Sequence, residues 1–326
     1  MKGIYFDGIK AVYREDLPVP VPSDTQSLIR ILYAGVCSTD KEILKGYRPD
    51  FTGIMGHEFV GIVESSSDPA WIGKRVVGEL NAGCGTCIYC RTGREKHCPD
   101  RKVIGMDGKD GCFCEYMALE THLLHRIPDG LSLQKALLTE PLAAALEIPK
   151  QVHIDPDGSI AIIGDGRLSY LIASVLHLSG ADLTIIGKHP EKLAQFEDFG
   201  QPVLHTDDSF ELVIEASGSS SGLELASRLV RRQGTIVLKS TYAEKAMVDM
   251  SYYAVHEITI TGSRCGPFAP ALRLLDKGLV QLPPVQFYPL KEFEAAFLTP
   301  AFKAGFSIPE DPEQVAHERR LIHGCT

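Results

Sequence analysis

The sequence lacks the features of several classes of protein. It has no run of about 18 or more apolar residues, the length that a membrane-spanning helix needs. No apolar segment of the signal-peptide type follows Met1, so we expect a soluble protein that is not exported. Basic residues are outnumbered, with 33 Lys and Arg against 42 Asp and Glu and a net charge of -9. This balance argues against nucleic acid or an acidic membrane as a general partner, because both select basic surfaces.

The cysteines do not have the pattern of a disulfide scaffold. There are nine in 326 residues, and four of them are crowded between positions 84 and 98. A chain of this length can form two domains, each with its own core, and does not need disulfides for stability. We therefore expect reduced thiols and a cytoplasmic protein, with Cys112, Cys114 and Cys325 as ordinary thiols.

Two styles of secondary structure divide the chain. Over residues 1–150, short β-type runs at 4–6, 28–32, 60–63 and 76–77 alternate with turn signals, which predicts an irregular, mostly antiparallel domain. From residue 151 to 282, buried strands alternate with helices that begin near Pro190, Ser221 and Pro267, which is typical of a doubly wound α/β domain. Its predicted strands are 160–163, 183–186, 203–205, 212–215, 235–239 and 258–261. Residues 283–326 are expected to return to the first domain, with a loose charged tail from Pro309 to Arg320.

The unit from Ser159 to His189 predicts half of a dinucleotide site. An apolar strand ends at Gly164-Asp165-Gly166, and a helix with one apolar face follows. A glycine turn that opens a helix directs backbone N–H groups at an anion, and a pyrophosphate suits it. Ser169 replaces the third glycine of the usual motif, which needs only a small side chain there. An ordinary βα turn in another doubly wound protein is the alternative.

The end of the second nucleotide strand predicts the cofactor. An acidic residue there binds the ribose 2′-OH, whereas a cation accepts the 2′-phosphate of NADP. The sequence reads Ile186-Gly187-Lys188-His189, without a carboxylate. We therefore predict a preference for NADP(H), with Lys188 and His189 on the phosphate. The alternative is that Lys188 is a surface charge at a loop tip.

A cysteine array predicts a structural metal site. The spacing is C-x2-C-x2-C-x7-C, formed by Cys84, Cys87, Cys90 and Cys98. Four thiolates complete a tetrahedron around zinc and leave no position for substrate. An iron–sulfur cluster is the chemical alternative. A zinc ribbon for nucleic acid is disfavoured by the acidic composition.

A second set of possible ligands is dispersed. It comprises Cys37 before Ser38-Thr39-Asp40, the pair His57-Glu58, and Glu140 in Glu-Pro-Leu-Ala. Taken singly, each residue is more often structural than functional. Together with the cysteine array and the nucleotide unit, however, they occur in the order found in zinc-dependent medium-chain dehydrogenases/reductases. Over residues 1–305 the chain resembles the sorbitol and threonine dehydrogenase branch of that superfamily, which implies a GroES-like catalytic domain beside a Rossmann domain.

The resemblance implies a catalytic zinc in addition to the structural one. Its ligands would be Cys37, His57, Glu58 and Glu140, with Asp40 orienting His57. One thiolate, one neutral imidazole and one carboxylate already neutralise Zn²⁺, and a second carboxylate would leave the site net negative. We therefore expect that Glu58 and Glu140 do not bind the metal equally.

The resemblance also assigns a proton relay and cofactor contacts. Thr39 matches the hydroxyl that bonds the substrate oxygen and starts the relay. Glu42 stands where many relatives have a histidine, so it is either the outlet of the relay or a solvated charge. The residues expected to contact the cofactor, besides Lys188 and His189, are Gly164, Gly166, Arg167, Leu168 and Arg264.

The resulting prediction is an NAD(P)-dependent dehydrogenase of secondary alcohols or polyols that acts as a homo-oligomer, a dimer or tetramer. Two alternatives stay open. One is a zinc-independent reductase of activated double bonds, although members with that chemistry typically lack the metal ligands kept here. The other is a sensor that binds NADPH without turnover.

Overall fold

The computed structural model describes residues 1–241 and 247–308 and divides the chain into two compact units. The first unit contains Met1–Glu140, Leu275–Lys277 and the chain from Pro284. The second unit contains Pro141–Leu274 and Gly278–Pro283. The tail predicted from Pro309 to Arg320 lies outside the described residues.

Short strands dominate the first unit, as its turn-rich sequence predicts. Its helices before residue 140 are α1 (Ser38–Ile43), α2 (Ile88–Arg91) and α3 (Leu133–Ala136). Its strands over the same part are β1 (Gly3–Phe6), β2 (Ala11–Arg14), β3 (Gln26–Gly35), β4 (Gly53–Ile54), β5 (Glu58–Ser66), β6 (Arg75–Gly78), β7 (Asn81–Ala82), β8 (Lys102–Ile104), β9 (Gly108–Lys109), β10 (Tyr116–Glu120) and β11 (Leu124–Arg126).

The second unit alternates strands and helices. Its helices are α4 (Thr139–Gln151), which carries the boundary between the units, α5 (Arg167–His177), α6 (Pro190–Leu193), α7 (Ser220–Leu229), α8 (Met250–Val255) and α9 (Phe268–Asp276). Its strands are β12 (Ser159–Ile163), β13 (Asp182–Ile186), β14 (Gln201–Val203), β15 (Phe210–Glu215), β16 (Val230–Leu238) and β17 (Thr259–Gly262). The chain then returns to the first unit with β18 (Val285–Pro289), α10 (Phe293–Leu298) and β19 (Lys303–Ser307).

A seven-stranded sheet positions the residues of interest in the first unit. Its order is β11-β6-β5-β3-β19-β18, and β10 also pairs with β3. These pairings are antiparallel except for β18 with β19, which confirms the predicted irregular, mostly antiparallel fold. Strand β3 alternates buried and half-buried residues, so one face packs on the core. Because β3 pairs with β5 on one side and β19 on the other, it brings residues from both ends of the chain together.

The sheet of the second unit has the order of a doubly wound fold. Six parallel strands follow the order β14-β13-β12-β15-β16-β17, which confirms the predicted Rossmann architecture. The central strand β12 is buried from Ile160 to Ile163, as its unbroken apolar run predicts. The third strand was predicted at 203–205 but lies at Gln201–Val203. Pro202 is tolerated there because β14 is an edge strand, where a missing N–H leaves no partner unpaired.

The helices of the described ranges are short. The longest, α4, has 13 residues, and none is long and apolar enough to cross a lipid bilayer.

Candidate active site and metal centres

The four cysteines of the predicted array lie together in the first unit. The sulfur atoms of Cys84, Cys87, Cys90 and Cys98 all lie within 4.8 Å of one another. The Sγ atoms of Cys87 and Cys90 are 3.5 Å apart, and those of Cys84 and Cys90 are 4.0 Å apart. None of the eight cysteines in the described ranges is in a disulfide. Four thiols at these spacings fit a tetrahedral zinc ion with no vacant position.

Backbone N–H groups and a hydroxyl stabilise the thiolate of Cys84 in this cluster, whereas burial raises the pKa of the neighbouring Cys90 thiol to about 12. The N–H of Cys84 donates to Sγ of Cys98, and the N–H of Cys87 donates to Sγ of Cys84, both at 3.4 Å. The Thr86 hydroxyl lies 3.5 Å from Sγ of Cys84 and, with the backbone N–H groups of Thr86 and Cys87, lowers the pKa of the Cys84 thiol to about 6. A thiol that ionises near neutral pH is the form that binds zinc.

A second group of side chains that could hold a metal ion lies inside the first unit. The ligand atoms of Cys37, His57 and Glu58 lie within 4.8 Å of one another, although 20 residues separate the first two. His57 and Glu58 are buried, and Cys37 is half-buried. The structure thus brings together three of the four ligands that the resemblance implies. A thiolate, an imidazole and a carboxylate fit the ligand set of a catalytic zinc ion with a position left for substrate.

Local structure explains how Cys37 and His57 meet. Cys37 is the N-cap of α1, and its backbone N–H donates to the Asp40 carboxylate at 2.7 Å. The other carboxylate oxygen of Asp40 lies 3.4 Å from Nδ1 of His57. Asp40 is fully buried, so it fixes both the cysteine loop and the imidazole ring. This placement agrees with its predicted role as the residue that orients His57.

The charge around His57 favours a cation. Burial alone would lower the pKa of the His57 imidazole, but the neighbouring Asp40 carboxylate and the Cys37 thiol raise it well above its ordinary value. An environment that stabilises a proton on this ring also stabilises a divalent cation.

Lys303 is a functional residue that the sequence reasoning missed. Its ammonium group forms an ion pair with the Glu58 carboxylate and donates to the carbonyl of Val36 at 3.0 Å. Both side chains of the ion pair have no solvent exposure. Lys303 lies in β19, 245 residues after Glu58. A buried lysine beside a candidate ligand neutralises the carboxylate and restrains its position.

We expect the substitution Lys303→Met to lower the free energy of unfolding by about 3–5 kcal/mol, because it leaves the Glu58 carboxylate buried without its counter-ion. Urea unfolding of the purified variant measures this change. The double variant Lys303→Met, Glu58→Met should recover most of the loss, since an apolar pair of similar volume replaces the ions.

Lys45→Met is the matched control, because Lys45 forms an exposed ion pair with Glu42 at 2.8 Å. This control variant should lower the free energy of unfolding by less than about 1 kcal/mol. Equal losses of unfolding free energy in Lys303→Met and Lys45→Met would contradict the role given to the buried ion pair.

The remaining predicted ligand and relay residues occupy different environments. Glu140 is in the first turn of α4 and is not part of the Cys37 group in the described structure. The Thr39 hydroxyl lies 3.6 Å from Sγ of Cys37. Glu42 is about 40% exposed and paired with Lys45, which supports the alternative that it is a solvated charge.

The glycine turn of the second unit fits a nucleotide phosphate. Gly166 is the N-cap of α5, and no side chain caps that helix. A Cβ atom added to Gly166 would meet no heavy atom within 4 Å, so the space in front of the helix N-terminus is open. Uncapped N–H groups facing open space can receive a pyrophosphate. Ser169, in the place of the third glycine, is fully buried, as close helix–strand packing requires.

A carboxylate from this turn reaches the end of β13. One oxygen of Asp165 accepts hydrogen bonds from the backbone N–H groups of Lys188 at 2.7 Å and His189 at 2.9 Å. The same oxygen lies 2.9 Å from Nδ1 of His189. The strand end itself has no carboxylate, as its sequence shows, but Asp165 reaches Lys188 and His189 from the turn that follows β12.

The other predicted cofactor residues lie in the same unit. Arg167 and Leu168 begin α5 and are half-buried. Arg264 is exposed in the segment between β17 and α9. Nearby, the Lys239 ammonium donates to the carbonyl of Ala144 at 2.7 Å and lies 3.3 Å from the Ser263 hydroxyl.

Comparison with known proteins identifies the family. The model of the alcohol dehydrogenase GroES-like domain matches residues 23–129. D-arabitol-phosphate dehydrogenase of Enterococcus avium is 30% identical over 313 residues, which cover 86% of this chain and 88% of that protein. Sorbitol dehydrogenase of Bacillus subtilis (strain 168) is 26% identical over 287 residues, covering 80% and 81%. The solved alcohol dehydrogenase TADH from Thermus sp. ATN1 has a TM-score of 0.85 at 24% identity, covering 95% of this chain and 100% of that one.

The fold and the two groups of residues that could hold a metal ion are those of a two-unit oxidoreductase. The chain belongs to the zinc-dependent medium-chain dehydrogenase/reductase superfamily. The resemblance drawn from the order of its motifs is confirmed.

Proposed function

We propose that the protein is a zinc-dependent dehydrogenase that transfers a hydride between a nicotinamide dinucleotide and a secondary alcohol or polyol. The observation that carries this proposal is the convergence of Cys37, His57 and Glu58 on one buried point. A thiol, an imidazole and a carboxylate are all ligands that bind zinc. In a core without a metal, burial of the carboxylate and the thiol would stabilise the fold little.

Each side chain of this group has a role in the proposed reaction. Zinc held by Cys37 and His57 would act as a Lewis acid toward the alcohol oxygen. Asp40 fixes the ring of His57, with its carboxylate 3.4 Å from Nδ1. Lys303 forms a buried ion pair with Glu58, and Glu58 would hold the zinc ion only in competition with that ion pair.

Proton transfer would begin at Thr39. A hydroxyl can donate to one group and accept from another, and the Thr39 hydroxyl lies beside the proposed zinc ligand Cys37. It is therefore suited to take the proton that the alcohol loses. A role for Glu42 as the outlet stays a prediction from the resemblance, whereas its exposure and its ion pair with Lys45 favour a solvated charge.

A second zinc in the four-cysteine array would stabilise the first unit without contacting substrate. This assignment gives two zinc ions per chain, one catalytic and one structural. Its support is the spacing of the four sulfur atoms, which leaves no open position. Glu140 stays a candidate ligand of the catalytic zinc, from the resemblance alone.

The second unit would bind the cofactor on the turn from Gly164 to Gly166. The preference for NADP(H) stays a prediction of the sequence, and its support is the cationic Lys188 at the strand end. The Asp165 carboxylate opposes that preference, because a 2′-phosphate placed at Lys188 would meet a second negative charge.

The substrate class rests on the relatives. The similar proteins named above act, by their names, on arabitol phosphate and sorbitol, which are both polyols. We propose a polyol or related secondary alcohol and its ketone. A cytoplasmic homo-oligomer, a dimer or tetramer, stays a prediction of the sequence.

A substrate screen tests the proposal. Purified zinc-loaded protein is incubated with polyols, polyol phosphates and simple secondary alcohols, and with the matching ketones, while absorbance of the reduced cofactor is followed. We expect turnover of at least one alcohol–ketone pair in both directions, with loss of activity on removal of zinc by a chelator.

The alternatives give different results in this screen. A zinc-independent reductase would consume reduced cofactor with an activated alkene and keep its activity after chelation. A sensor would bind the reduced cofactor but turn over none of the substrates. Either result would contradict the proposed function.

A further inference from the structure

Asp165 occupies the position of a strand-end side chain in the nucleotide unit. In doubly wound folds, an acidic residue at the end of the second strand binds the ribose 2′-OH and disfavours a 2′-phosphate. Here the strand end is Gly187, which has no side chain. A Cβ atom added to Gly187 would lie 2.6 Å from Cβ and 2.8 Å from Oδ2 of Asp165. The Asp165 side chain thus fills the space into which a side chain at 187 would extend.

The hydrogen bonds of Asp165 use the donors that an anionic ligand would need. Its Oδ2 atom accepts from the N–H groups of Lys188 and His189 and contacts Nδ1 of His189. A 2′-phosphate at this loop would have to compete with Asp165 for all three groups. The Asp165 side chain is 12% exposed, so solvent screens it only in part.

The carboxylate is ionised at neutral pH. Partial burial acts to raise the pKa of Asp165, but the N–H groups of His189 and Lys188 outweigh this effect and lower it. The site therefore holds a fixed negative charge at the point where NAD and NADP differ.

We infer that Asp165 replaces the missing strand-end carboxylate and makes the protein select NAD(H) over NADP(H). This inference rests on the proposed function, because it assumes a nicotinamide cofactor. The Oδ1 atom takes no part in the three contacts above, and it can accept a hydrogen bond from a ribose hydroxyl. A 2′-phosphate offers no such donor and is repelled by the carboxylate.

Lys188 and His189 take a different role in this arrangement. Their backbone N–H groups hold Asp165 in place, and the His189 imidazole pairs with it. We expect the sequence-based preference for NADP(H) to be reversed, because the backbone N–H groups of Lys188 and His189 and the His189 imidazole already contact the Asp165 carboxylate.

Dissociation constants of NADH and NADPH, measured by fluorescence titration, test the inference on the full-length zinc-loaded protein. We expect the wild type to bind NADH at least about tenfold more tightly than NADPH, a difference of about 1.4 kcal/mol. Asp165→Asn keeps the size of the side chain and an oxygen acceptor but removes the charge. This variant should lower the ratio of the dissociation constant of NADPH to that of NADH by about tenfold.

Asp182→Asn is the matched control, since Asp182 is an exposed aspartate at the opposite end of β13, and it should leave the ratio unchanged. The inference is overturned if the wild type prefers NADPH, or if Asp165→Asn weakens both constants by the same factor, as a purely structural role requires. Because binding is measured without turnover, a protein that selects NADH but oxidises no alcohol would support the inference while contradicting the proposed function.

Discussion

Replacement of Cys37 by alanine is expected to lower kcat/KM for the best alcohol by about 10³-fold or more. Cys37, His57 and Glu58 are the three side chains whose ligand atoms converge at this site. Without Cys37, the two that remain would hold zinc poorly. Loss of the metal removes several kcal/mol of charge stabilisation from the reaction. Steady-state kinetics with saturating cofactor measure this loss, and His57→Ala should have the same effect.

The same variants should keep their affinity for the reduced cofactor. The turn from Gly164 to Gly166 belongs to the other unit of the chain, and Cys37 does not form part of it. Cys114→Ala is the control, because Cys114 is a buried thiol of the first unit outside both clusters. It should retain turnover. A Cys37→Ala variant with more than about one tenth of wild-type kcat/KM would refute a metal-centred mechanism.

The second large effect is expected at the four-cysteine array. Cys98 is its most buried member, and Cys98→Ala leaves three ligands for an ion that needs four. We expect zinc content to fall from two ions per chain to one, and the midpoint of thermal unfolding to fall by about 10 °C. Elemental analysis and differential scanning calorimetry measure the two quantities.

Cys114→Ala again separates the causes, since it removes a buried thiol from the same unit without touching a cluster. It should keep two zinc ions and lose less thermal stability. Iron in the wild-type protein would favour the iron–sulfur alternative instead. Two zinc ions in Cys98→Ala would rule out the assigned structural site.

Local patterns of sequence were sufficient to predict the nucleotide unit. The apolar run at Ile160–Ile163, the glycine turn and the helix that follows are neighbours in the chain, so their contacts depend on local spacing. The order of the six parallel strands then follows from the handedness and packing of successive crossovers. Short edge elements were less predictable, as the two-residue shift of β14 illustrates.

The ion pair between Glu58 and Lys303 could not be predicted in this way. Its partners are 245 residues apart and meet because β19 and β5 both pair with β3. A lysine in a strand is usually exposed at an edge, so nothing in its local sequence indicates burial. The run Ala304-Gly305-Phe306 that follows the lysine in β19 was the weak signal available.

The position of Asp165 was missed for a related reason. Reading the cofactor preference from the end of the second strand assumes that only residues of that strand reach the ribose position. Gly187 has no side chain, and the Asp165 side chain, from the turn after β12, occupies the space that this leaves. The unusual aspartate inside the glycine motif, together with a histidine after the strand, was the available indication.

The central claim is that Cys37 and His57 bind a zinc ion that is separate from the ion of the four-cysteine array. A crystal structure with anomalous diffraction recorded on both sides of the zinc absorption edge tests it most directly. The account predicts two zinc peaks per chain, one among the four sulfur atoms and one within about 2.0–2.3 Å of Sγ of Cys37 and a ring nitrogen of His57. A fully zinc-loaded crystal with one peak, confined to the four-cysteine array, would contradict it.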